Sequence, residues 1–240
     1  TKLDGSCIRL TYQDGILVEA ATRGDGIEGE DITAKAYLIE TIPNSIPDKI
    51  TRQIDGEVVC SKKIENARNY VSGALNTKDL DEFKKEKSIH LVFVAYSVRP
   101  VITDTYYDDM ADIESQGFIS VLDDEYCKEF FRTDGTVFRL NNNRAYNEAG
   151  YTAKHPRGAY ARKKSSDVAI EETVLQDVIW QVGRSGKITP VAIFDEIIID
   201  DARINRATLN NVGFIEEMGL ELVDVILVTS SGGIIPKFLG

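Results

Sequence analysis

The sequence predicts an α+β domain with antiparallel sheets followed by a small all-β barrel, and three observations carry that expectation. Apolar and polar residues alternate loosely from Ser6 to Thr22 around Asp14-Gly15, a dipeptide that favours the tight turn of a hairpin. Strand-like runs at Ile54 to Val59 and Ile89 to Val98 lead into two stretches, Tyr107 to Gln116 and Asp123 to Arg132, with the spacing of short surface helices. After the polar run Arg162-Lys163-Lys164-Ser165-Ser166-Asp167, the final stretch of about 75 residues returns to short strands between Gly, Asn and Ser turns, which fits a small closed barrel.

The polar run sets the expected boundary, with a first domain over 1–165 and a second over 166–240. Within the second, Val178 to Ile199 reads as two strands joined by the turn Gly183-Arg184-Ser185-Gly186-Lys187. Leu222 to Thr229 with Gly232-Gly233-Ile234-Ile235-Pro236 reads as a later pair.

At 240 residues and 42% hydrophobic content the chain can bury a sizeable core. It has no run of roughly 20 apolar residues that would cross a bilayer, and Thr1-Lys2-Leu3-Asp4 lacks the basic start of a signal peptide, so a cytoplasmic protein is expected. Cys7, Cys60 and Cys127 lie far apart with only two histidines, which supports neither a disulfide framework nor a zinc cluster; buried small hydrophobes are expected. A net charge of −11 argues against a uniformly basic nucleic-acid surface, so any such contact must use local basic clusters. From Asp167 onward there are 5 basic and 12 acidic residues, so DNA contact by the second domain must be confined to one face.

Several short motifs could carry chemistry. Lys2-Leu3-Asp4-Gly5 sets a lysine and an aspartate two apart at a strand end, where alternation points both to one face. An ordinary lysine is mostly protonated at pH 7, so attack on phosphorus needs cationic neighbours or a metal to favour the neutral amine. In Ala21-Thr22-Arg23-Gly24-Asp25-Gly26, two glycines let backbone approach a ligand and Arg23 offers a planar fork for phosphate; alone, this is equally a glycine turn with a surface arginine. Glu57 of Asp55-Gly56-Glu57-Val58-Val59 could accept ribose hydroxyls, although a strand-edge glutamate is the commoner occurrence. Asn66-Ala67-Arg68-Asn69 is a polar loop. Thr133-Asp134-Gly135-Thr136-Val137-Phe138-Arg139 sets Asp134, a candidate magnesium ligand, and Arg139, a candidate phosphate contact, on one strand-like stretch. Arg157-Gly158-Ala159-Tyr160-Ala161-Arg162-Lys163-Lys164 is a basic run that could equally be an exposed linker. His90, expected in a strand, and His155, in a loop, have no acid-base partner, and Trp180 is expected in the barrel core.

In this order, K-x-D-G, A-T-R-G-D-G, G-E-V, N-x-R-N, D-G-x-V and a final basic strand resemble the NAD-dependent DNA ligase family. Gln181 to Ala192 looks like the family's barrel entry, Arg206 to Asn211 and Gly219 to Leu222 its continuation, and Gly232 to Lys237 its end. The resemblance implies a nucleotidyltransferase (adenylation) domain followed by an OB-fold barrel, with NAD as AMP donor, Mg2+ as metal and nicked double-stranded DNA as substrate. Lys2 would be the adenylated nucleophile, with Asp4 and Gly5 completing its motif and Lys163 stabilising charge on the transferred phosphate. Arg23 would lie beside the nucleotide, Glu57 on the ribose, Arg68 near phosphates, Arg139 at the nucleotide and Asp134 near metal and phosphate. Arg184 and Lys187 would contact the DNA backbone.

Departures from the family pattern are expected to matter. Arg139 stands where the family has a lysine, Asn76 where it has an arginine, and Gly158 and Arg162 where it has aromatics. The resemblance also implies that the helical segment gripping the nicotinamide mononucleotide half of NAD is not among these residues, so that a second chain could supply it. A fragment, a split ligase and a divergent viral enzyme all fit. An ATP-using nucleotidyltransferase and a non-catalytic nick-binding subunit are the alternative functions.

Overall fold

The computed structural model describes residues 1–24, 29–152, 155–163, 170–183, 186–199, 202–231 and 235–238. A two-residue strand, β1 (Lys2–Leu3), precedes the hairpin of β2 (Ser6–Gln13) and β3 (Ile16–Thr22). Asp14 and Gly15 join the two strands at φ 50° and 80°, the paired positive φ that a two-residue hairpin needs to match strand twist. β4 (Arg52–Cys60) and β5 (Leu91–Arg99) extend this sheet antiparallel, and β6 (Ile119–Ser120) adds in parallel, giving the order β3-β2-β4-β5-β6. A second sheet has the order β1-β7-β8, from β7 (Thr133–Arg139) and β8 (Ala159–Lys163).

Helices α1 (Thr33–Ala36), α2 (Ala67–Asn76), α3 (Leu80–Glu82), α4 (Tyr106–Ser115), α5 (Asp124–Phe130) and α6 (Asn143–Ala149) fill the connections. Side-chain oxygens start the last three: Thr105, Asp123 and Asn142 accept from the N–H groups of Asp108, Tyr126 and Ala145, satisfying donors that have no partner inside the helix. His90 ends a 3-10 turn rather than lying in a strand, because the chain becomes extended only at Leu91.

Alternation divides the five-stranded sheet into two unlike faces. Ile8, Leu10, Tyr12, Ile54 and Val58 turn to one face and pack with Val71 and Leu75 of α2 and Met110 and Ile113 of α4, forming the main core. On the other face Val59 and Val94 join Leu3, Cys127 and Phe131 in a smaller cluster. The main core consumes one side of the sheet and leaves Glu57, one alternation step from Val59, on the other side. Arg52 is buried at the start of β4 and reaches Asp48 at 2.5 Å and Asp112 at 3.0 Å, tying the strand to α4.

The chain divides into two compact units, Thr1–Lys164 and Ser165–Gly240. The second holds β9 (Ile170–Val174), β10 (Asp177–Val182), β11 (Ile188–Ile199), β12 (Ala202–Thr208), α7 (Val212–Met218), β13 (Val225–Ser231) and β14 (Ile235–Phe238). Its sheet runs β10-β11-β12-β14-β13-β9 around a core that includes Phe194, Ile226, Val228 and Phe238. Two features differ from the expected all-β barrel. Helix α7 interrupts the strands and packs Phe214 edge-on to Phe238 at 5.6 Å, and among the described residues β9 and β10 end the ladder without closing it. Trp180, expected in the core, is 54% exposed, because the hairpin runs outward from Val178, which packs on the core, towards the exposed Val182. Among the described residues, no helix is long and apolar enough to cross a membrane.

Candidate active site

β1 is held by burial of Leu3, and alternation turns Lys2 and Asp4 away from that core. Its partner strand breaks register: Lys2 faces Gly135 but Leu3 faces Thr133, so Asp134 is the extra residue of a β-bulge. A bulge re-aims the residue it inserts. Here it delivers both carboxylate oxygens of Asp134 to Lys2 Nζ, at 2.7 and 2.6 Å, with both side chains partly exposed.

Asp4 accepts from Arg68 Nη1 at 3.2 Å, which brings the start of α2 to the same place. Gly5 allows the chain to lie close against β4: a Cβ on it would lie 2.1 Å from the Val58 carbonyl oxygen. Opposite it on β4, burial pushes the Glu57 carboxyl up to about 7, against the opposing pull of Lys2, Arg68 and a hydrogen bond donated by the Gly5 N–H. A carboxyl that titrates near neutrality among two cations is a common mark of a functional site.

A second bulge serves the same face. Asp55 faces Ser97 and Gly56 faces Ala95, so Tyr96 is the inserted residue of β5, and its hydroxyl lies 3.0 Å from Cys7 Sγ. Burial raises both the Cys7 thiol and the Tyr96 phenol above their ordinary ranges, so both stay neutral, and Arg23 is close enough to oppose the shift of Cys7. Cys7 is therefore a half-buried lining residue, whereas Cys60 and Cys127 are buried as expected. Sequence reasoning missed Tyr96, since a tyrosine in the apolar run Leu91 to Val98 gives no sign of the bulge that redirects it.

Lys163 faces Gly135 across β7 and β8, so Lys2, Gly135 and Lys163 form one row of the three-stranded sheet. The central glycine permits this spacing, since a Cβ there would lie 2.4 Å from the Arg162 carbonyl oxygen.

Arg139, further along β7, is placed differently. Its guanidinium lies between the rings of Tyr106 and Tyr146, 4.2 and 3.9 Å from their centroids, and donates to Asn143 at 3.2 Å. Its Nε is buried without a hydrogen-bond partner. The two departures noted in the sequence meet here: a Cβ at Gly158 would lie 2.5 Å from Tyr146 Cδ2, so the missing side chain makes room for the ring that stacks on Arg139.

The site thus brings together Lys2, Asp4, Gly5, Glu57, Arg68 and Asp134, with Arg23 near its Cys7 edge and Lys163 in register. Lys187 is exposed in the turn between β10 and β11, and Arg184, Asp25, Gly26 and Lys164 lie outside the described residues. Among the described residues no group of three or more His, Cys, Asp or Glu side chains could cage a metal. Asp134 fits the weaker requirement of magnesium, which usually takes one or two carboxylates and completes its shell with phosphate oxygens and water.

Residues 1–129 match the NAD-dependent DNA ligase adenylation domain. The chain belongs to the NAD-dependent DNA ligase family. Residues 172–240 match that family's OB-fold domain, so this ligase-family chain pairs an adenylation domain with an OB-fold domain. It is 34% identical over 283 residues to a DNA ligase of Chlorobium phaeobacteroides, an alignment covering 99% of this chain and 41% of that protein. It is also 34% identical over 278 residues to DNA ligase 1 of Deinococcus deserti, covering 100% of this chain and 40% of the relative. The chain therefore spans about 40% of the length of these ligases.

Proposed function

We propose that this chain is the catalytic core of an NAD-dependent DNA ligase that becomes adenylated on Lys2, with the adenylation domain over 1–165 and the OB-fold domain over 166–240. Family membership and the contact of Lys2 Nζ with both oxygens of Asp134 support that reading. Lys2 Nζ forms a bond to the adenylyl phosphorus of NAD as the phosphoanhydride bond breaks, and nicotinamide mononucleotide leaves with the bonding electrons. The proton that Lys2 sheds passes to solvent at this partly exposed pair, with Asp134 orienting the amine. AMP then passes to the 5′-phosphate of a nick in double-stranded DNA, and the 3′-hydroxyl displaces it.

The surrounding residues divide that work. Lys163 neutralises charge on the phosphate being transferred. Glu57 takes the ribose hydroxyls, with Asp4 and Arg68 fixing the mouth of the pocket and Gly5 its floor. Arg23 lies beside the nucleotide. Arg139 acts on the nucleotide from within its tyrosine bracket. Magnesium, held by Asp134 and phosphate oxygens, would supply charge neutralisation. Arg184 and Lys187 contact the DNA backbone. A second chain that grips the nicotinamide half of NAD is a further partner on this reading, and the enzyme works in the cytoplasm.

Mass spectrometry after separate incubation with NAD and with ATP, each with magnesium, tests the proposal. One AMP added at Lys2 by NAD alone is the expected result. Labelling by ATP alone would make the chain an ATP-using nucleotidyltransferase, and no label from either, with the helical front segment supplied in trans, would make it a non-catalytic nick-binding subunit.

A further inference from the structure

We propose that the β7–β8 ribbon carries a stacking platform for single-stranded nucleic acid, on the face opposite to Lys163. Ladder pairs put Thr136 beside Arg162 and Phe138 beside Tyr160, so these four side chains share one face, while Gly135 and Lys163 belong to the other. Phe138 and Tyr160 lie nearly parallel, with ring centroids 5.1 Å apart and planes 16° apart. The Arg162 guanidinium lies 5.8 Å from the Phe138 centroid. Together they form a short stack of cation, ring and ring, and its outer ring, Tyr160, is 64% exposed.

Two rings exposed side by side on a strand pair are not ordinary surface. An unpaired base has a π face that would extend this stack, whereas the bases of an intact duplex are stacked on one another and cannot reach it. The charge points the same way. In a chain of net charge −11, Arg162 sets a cation against the exposed ring pair, and among the described residues its guanidinium contacts Phe138 and makes no salt bridge. A guanidinium placed over Phe138 brings N–H donors beside the ring pair, where the backbone of a strand whose base lies on Tyr160 would run. The platform does not rest on the ligase reading, since it uses neither Lys2 nor its neighbours.

Fluorescence anisotropy with a labelled oligo(dT) of 16 nucleotides, in low salt and without NAD, measures it directly. Tyr160→Ala and Arg162→Ala should each weaken binding by roughly five- to fifty-fold, the loss expected for one stacked base or one charged contact. Phe138→Leu should weaken it less, and Trp180→Ala, which removes an exposed ring elsewhere, should leave it unchanged. Circular dichroism should show every variant folded, because the altered side chains are exposed. Equal affinity of wild type and Tyr160→Ala, or tighter binding of a blunt duplex than of oligo(dT), would overturn the proposal. Failure of wild type to bind oligo(dT) would also overturn it, and self-association lost in Tyr160→Ala would then assign the face to a second copy of the chain. AMP labelling of Lys2 is a separate measurement, so neither result decides the other.

Discussion

Strand β7 holds two polar side chains in opposite ways, and the contrast separates reactive charge from locked charge. At its start Asp134 bulges out of register and meets Lys2 in a partly exposed ion pair. At its end Arg139 lies between two tyrosine rings with a buried, unpartnered Nε. The first arrangement stores little stability, because a solvent-exposed pair is worth about 0–1 kcal/mol, but it leaves the amine within reach of a substrate. The second gains from packing and desolvated cation–π contact, and it fixes the arginine against α4 and α6. On the proposed function, the reacting group is the one at the loosely held end.

The sharpest way to break the comparison is Lys2→Ala. It should abolish AMP labelling altogether while shifting stability by less than about 1 kcal/mol in urea denaturation, since the side chain is partly exposed and its ion pair is screened. Unfolding of this variant would show that the Lys2–Asp134 pair between β1 and β7 is structural after all.

Glu57→Gln should give the next largest change. The folded protein binds the Glu57 proton more tightly than the unfolded chain does, up to about 7 against an ordinary value near 4.5. Stability from this group is thus present below pH about 4.5 and is lost as pH rises through about 7, a change of roughly 3 kcal/mol. Glutamine cannot titrate, so urea midpoints at pH 4 should nearly coincide, while at pH 8 the variant should be the more stable by up to that amount. A pH-independent difference would mean that Glu57 is not desolvated.

Tyr146→Ala tests the locked end and should cost about 2 kcal/mol through lost packing and a lost face of the bracket. In a double-mutant cycle with Arg139→Ala the two losses should fall short of additive by about 1 kcal/mol, as for residues in direct contact. Additivity would dissolve the bracket. The smallest effect is expected from Asp134→Asn, which should change stability by less than about 1 kcal/mol and yet slow labelling of Lys2 in a timed mass-spectrometric assay.

Much of this is legible in the sequence. The Asp14-Gly15 hairpin, the strands from Ile54 and Ile89 and the helices near Tyr107 and Asp123 follow from turn chemistry, alternation and caps, all local in the chain. Lys2 and Asp4 could be placed on one face because alternation alone decides it. Trp180 and Cys7 went the other way, since burial depends on what the rest of the chain brings to a position: Trp180 lies near a hairpin tip, and Cys7 faces the side of the sheet that the main core leaves uncovered.

By itself, then, the sequence determined the strands, the family and the order of the chemical motifs, because these depend on residue type and short spacing. Only the tertiary structure decided which of those residues meet. Asp134 and Tyr96 reach the site through single-residue register shifts that leave no trace in composition, and Lys163 joins Lys2 across a glycine 28 positions before it in the chain. Arg139 and Gly158 are unrelated departures in the sequence, and Tyr146 links them by filling the space that Gly158 leaves and stacking on Arg139. The reason is physical: cross-strand register and side-chain packing are set by pairing between distant segments, where a slip of one residue turns a side chain from one face to the other.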